Sequence, residues 1–122
     1  MLAPERRKLS YLVRKFILAN GGSEGNDYAD HVGYTLPTAA GELSVTYDRG
    51  WGTIFGRFED VEAAKKLLGT APYNRLNPYS GKWNFHFGRT TAEAAFEQWT
   101  GVLKVYGLVL KAAAESVSES RD

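Results

Sequence analysis

The chain has no cysteine, and only two histidines, His31 and His86, stand among its 122 residues. The missing thiols exclude disulfides, thiolate zinc sites and cysteine nucleophiles together, and they fit a reducing cytosol. A zinc site built on the two imidazoles would need further Asp or Glu ligands, and no spacing marks such a set. We expect no metal and no cofactor. Long apolar runs are also missing. The longest, near the C-terminus, is interrupted by Lys104 and Lys111, so no segment reaches the roughly 18 residues of a membrane span. The N-terminus carries Glu5, Arg6, Arg7 and Lys8 with no long apolar run behind them, which is not the pattern of a signal peptide. The expected location is the cytoplasm, away from any membrane. Neither sign of charge dominates: the net charge is +1, which excludes a global electrostatic funnel for a polyanion.

What is present is ordinary for a globular chain, with 43% hydrophobic and 24% charged residues. The length suits one domain over 1–122 with one core, and residues 116–122 read as a frayed tail. Charge is distributed less evenly than its sum. Arg6, Arg7, Lys8, Arg14 and Lys15 face Glu5 alone within the first 22 residues, whereas 23–30 holds Glu24, Asp27 and Asp30 without a cation.

Pro4 suits a first helical turn, and Leu9, Leu12, Val13, Phe16 and Ile17 recur at helical spacing. Asn20-Gly21-Gly22 then stops the chain, which predicts a helix over about 4–20. Residues 21–30 read as a glycine-rich acidic loop. Three strands follow. The first, His31–Leu36, should end at Pro37; the second alternates Leu43, Val45 and Tyr47 with polar residues; the third runs Trp51–Phe58. Asp48-Arg49-Gly50 is a hairpin signal with Gly50 in the positive-φ position. In the third strand, Ile54 and Phe58 share one face, and Trp51, Phe55 and Arg57 the other. Asp60 can cap a short helix over 61–68, and 70–81 reads as a loop. Trp83, Phe85 and Phe87 alternate with Asn84 and His86 as a fourth strand. A long helix over about 91–117 begins at Thr90 or Thr91, with Glu93 as capping-box partner. The order α-β-β-β-α-β-α predicts an α+β domain with a mostly antiparallel four-stranded sheet packed against helices.

The densest stretch for function is Asn77–Gly88. Its Ser80-Gly81-Lys82 lacks the upstream glycine and following helix of a phosphate loop, so nucleotide hydrolysis is discounted. Lys82, Asn84 and His86 share one side of the strand at period two and form a polar stripe beside Tyr79. Trp83, Phe85 and Phe87 read as core beneath the last helix, the other reading being stacking platforms for single-stranded nucleic acid. Trp51 and Phe55 pose the same choice, with Arg57 beside them. On the first helix Arg7, Tyr11 and Arg14 form a stripe flanked by Lys8 and Lys15, either a solvated face or a surface for phosphate or an acidic partner. The last helix is apolar around most of its circumference and contains Gly101 and Gly107, which makes a homodimer through 91–117 an expectation.

The combination Gly41-Glu42-Leu43, Trp51, Arg57-Phe58-Glu59-Asp60, Ala63-Ala64-Lys65 and Asn77 through His86 resembles a group of small phage- and plasmid-encoded proteins of uncharacterised function. The resemblance covers about 41–88. It implies a mobile-element accessory protein inside a bacterial cell and supplies no catalytic residue. The expected function is a non-catalytic binding protein with a protein partner, modulating or inhibiting a host macromolecule such as a defence system, through Tyr79, Lys82, Asn84, His86 and Arg57. The alternative is a nucleic-acid binder using Arg6, Arg7, Arg14, Lys15 and the strand aromatics. An enzyme with His86 as acid or base ranks third.

Overall fold

The structure is a computed structural model and describes residues 1–38, 41–60, 62 and 82–105. Helix α1 spans Ala3–Ala19, with Pro4 in its first turn and Leu9, Val13 and Ile17 buried. Its end is closed by Gly21 at φ 80° and by the Gly22 amide donating to the Ile17 carbonyl at 2.9 Å. This six-to-one bond is the Schellman closure that Asn20-Gly21-Gly22 led us to expect.

Five strands follow: β1 (Ser23–Asp27), β2 (His31–Thr38), β3 (Gly41–Asp48), β4 (Thr53–Phe58) and β5 (Lys82–Phe85). They form one antiparallel sheet in the order β1-β2-β3-β4-β5. Helix α2 (Ala92–Val105) comes last. The α+β single-domain architecture is as expected, with one strand more. The helix expected over 61–68 and the loop over 70–81 lie outside the described residues apart from Glu62, as does the last-helix stretch 106–117.

Several local expectations need correction. Residues 23–27 form a strand, not a loop, although all five are exposed. β2 continues through Pro37, which sits opposite Glu42. Pairing to β1 has already ended at Ser23–Thr35, so β2 is an open edge there, and proline is tolerated. The hairpin between β3 and β4 spans Arg49–Gly52, and the positive φ falls at Gly52 (73°) rather than Gly50. The Asp48 carboxylate accepts from the amides of Gly50 (2.8 Å) and Trp51 (3.1 Å), so the side chain shapes the turn.

Alternation then sorts the sheet. Val32, Tyr34, Leu36, Leu43, Val45, Tyr47, Ile54, Phe58 and Phe85 are buried on one face. α1 covers them with Leu9, Val13 and Ile17, and α2 with Ala92, Ala95, Trp99 and Leu103. Between the helices, Phe16 meets Trp99 and Phe96 edge-on at 5.4 and 5.7 Å. The two helices run in the same direction. Near their starts, Glu5 accepts from the Ala92 amide at 2.8 Å and Lys8 pairs with Glu93. Thr91 is the cap, accepting from the Ala94 amide at 3.2 Å, so Glu93 turns to Lys8 instead of closing a capping box. Within 92–104 the exposed positions are Glu93, Ala94, Glu97, Gln98 and Lys104.

Candidate functional site

Both helices lie on one face of the sheet, and the other face carries the candidate residues. In an antiparallel sheet, residues directly opposite share a face and approach within about 4.5–5.5 Å between Cβ atoms. The register therefore writes out this face row by row. One row runs Ser23, Thr35, Ser44, Arg57, Lys82; the next runs Gly33, Thr46, Phe55, Asn84. Arg57 and Lys82 are direct cross-strand partners, and so are Phe55 and Asn84. The expected stripe on β5 and Arg57 of β4 are thus one surface. Arg57, Asn84 and His86 are exposed. Tyr79 lies outside the described residues.

His86 departs from expectation. The strand ends at Phe85, so His86 is no longer paired. It still folds over the outer face: its Nδ1 lies 3.4 Å from the Thr53 hydroxyl, and its ring stands edge-on to Phe55 with centroids 6.2 Å apart. Thr53 as a residue is only 5% exposed, and its contact with His86 is long. Among the described residues no three His, Asp or Glu side chains gather as metal ligands.

Phe85 is buried in the core and Phe87 is partly buried against it. Two of the three alternating aromatics therefore take the structural role. Trp51 does the opposite. It is 80% exposed, held out on the turn that Asp48 and Gly52 shape. Beside it is a cleft of about 520 Å³ lined by Met1, Asp48, Trp51, Thr53, Phe55, His86, Phe87, Gly88 and Arg89. Arg89 is a lining residue that the sequence patterns above do not mark. Its signal was present: it follows Gly88, whose φ of 66° turns the chain just after the aromatic strand.

The basic residues of α1 do not belong to this surface. Arg6 is turned inward, donating to the Met1 carbonyl at 2.6 Å and the Arg49 carbonyl at 3.2 Å. Arg14 pairs with Glu24 at 3.2 Å. Arg7 and Lys15 are exposed beside Tyr11, on the side of α1 that faces away from the sheet. The helix stripe and the outer sheet face therefore lie on opposite sides of the protein. At the β1–β2 end, Arg49 pairs with Asp27 at 2.7 Å, and the Asp30 carboxyl is held below its usual range by its hydrogen bond with His31. No helix among the described residues is long and apolar enough to cross a membrane.

Comparison with protein-family models, with curated proteins and with solved structures returned no match.

Proposed function

We propose that the protein is a non-catalytic binding protein that engages a host macromolecule through the outer face of β4 and β5, acting as a mobile-element accessory protein inside a bacterial cell. The observation that carries this reading is the register pairing of Arg57 with Lys82. Like charges directly opposite each other in a sheet are destabilising. A partner's anionic group arriving at this register position would offset that repulsion. Arg57 is exposed and makes none of the ion pairs found among the described residues. Glu42 and Glu59 fall in the next row, where the Glu59 amide meets the Glu42 carbonyl at 3.2 Å, and there the cationic stretch ends.

The test is capture from a bacterial lysate with the wild-type protein and with Arg57→Glu and Lys82→Glu. The wild type should retain a defined partner that both variants lose while keeping the native circular-dichroism spectrum and melting point. Undiminished capture by folded variants contradicts the reading.

A further inference from the structure

We infer that the partner of the outer β4–β5 face is a single-stranded nucleic acid, an inference that rests on the binding role just proposed. Three kinds of group succeed one another along this face. Arg57 and Lys82 occupy one end. Four residues up β4, about 13 Å away at about 3.3 Å per residue, Thr53 and His86 mark the other, with Arg89 and Trp51 in the cleft beyond. Between the ends lies the Phe55–Asn84 pair, an aromatic ring beside a side-chain amide.

Cations at both ends of an extended strip suit a chain that carries its negative charge at intervals, as a phosphodiester backbone does. The aromatic groups between and beyond them suit the rings of that chain. An exposed Trp offers a stacking face to any base, and an amide can meet a base edge. A duplex hides its ring faces inside the stack, so the strip selects a single strand. Among the described residues lining the cleft, the one acid is Asp48, which has an oxygen already engaged by two backbone amides. An acidic peptide would use the cations but leave the exposed indole of Trp51 without a role.

The experiment is fluorescence anisotropy with labelled oligo-dT and oligo-rU of about ten nucleotides, and a duplex as comparison. Both single strands should bind more tightly than the duplex. With phosphates on Arg57, Lys82 and Arg89, affinity should fall about 20-fold between about 50 and 200 mM salt. Trp51→Ala should weaken binding about tenfold or more while Trp51→Phe retains most of it. Arg57→Gln should weaken it and flatten the salt slope by about 0.7. Both positions are exposed, and unchanged melting points will show that the variants fold. Arg7→Gln with Lys15→Gln, on the far side of the protein, should change nothing.

Absence of single-strand binding at the lowest salt overturns the inference, as does tighter binding of the duplex. So does binding that Trp51→Ala and Arg57→Gln leave intact, or that the α1 variant abolishes. If nuclease-treated lysate still yields a partner that Arg57→Glu loses, that partner is a protein: the inference fails and the binding surface stands. If Arg57→Glu affects neither assay, both fail.

Discussion

The Tyr47 hydroxyl donates a 2.5 Å hydrogen bond to the carbonyl oxygen of Arg6, 41 positions earlier in the chain. It ties the end of β3 to the first turns of α1, and Arg6 in turn holds the Arg49 carbonyl of the turn that presents Trp51. Tyr47 is fully buried, and that burial pushes its phenol up to about 12. The folded state therefore holds this proton more tightly than the unfolded chain, whose tyrosines titrate near 10. Its contribution is whole below about pH 10 and is lost as pH rises from there towards 12. Burial raises the phenol of Tyr34 as well, which adds to the alkaline decline. Tyr47→Phe should cost about 1 kcal/mol at neutral pH and make the decline above pH 10 shallower. Urea midpoints across pH 7 to 11 check both effects.

The start of α2 is held by two groups from different parts of the chain. Glu5 accepts from the Ala92 amide and Thr91 from the Ala94 amide. Such acceptors satisfy donors that a helix leaves open at its N-terminus, and a carboxylate also meets the positive end of the helix dipole. Thr91→Ala and Glu5→Ala should each cost about 1 kcal/mol. The double variant should depart from additivity, because the two act on one helix end. Strict additivity in denaturation experiments would show that Glu5 acts elsewhere.

Two glycines should respond to alanine with opposite signs. A Cβ at Gly22 would stand 2.4 Å from Ile17 Cγ2 and 2.6 Å from the Thr35 carbonyl oxygen, so α1 packs directly on β2 there. Gly22→Ala should destabilise by about 1–3 kcal/mol. At Gly101, within α2, a Cβ would meet nothing within 4 Å. Gly101→Ala should stabilise by up to about 1 kcal/mol through helix propensity alone. Destabilisation at Gly101 would reveal a close contact there, as a homodimer through this helix would make.

The sequence made the amphipathic elements readable because one face of each is buried. The alternation in β2, β3 and β4 and the 3.6-residue period of α1 record that burial directly. β1 has no such record. Its Ser-Glu-Gly-Asn-Asp is polar throughout, and it is a strand because β2 offers an edge and because Arg14 and Arg49 pair with Glu24 and Asp27. The polar stripe of Lys82 and Asn84 was readable from period two alone. Its meeting with Arg57 was not, because cross-strand register depends on where the chain returns after residue 60. Alternation alone groups Trp51 with the strand, whereas the four-residue turn places it outside the sheet, the most exposed large hydrophobic side chain among the described residues. The inward turn of Arg6 depends on carbonyls at Met1 and Arg49 that no charge count locates.

The most direct test of the binding surface is an NMR titration of the isotopically labelled protein with oligo-dT. Shifts should concentrate at Trp51, Phe55, Arg57, Asn84, His86 and Arg89, while Arg7, Tyr11, Arg14 and Lys15 stay unmoved. Shifts confined to the α1 residues, with the outer sheet face silent, would contradict it.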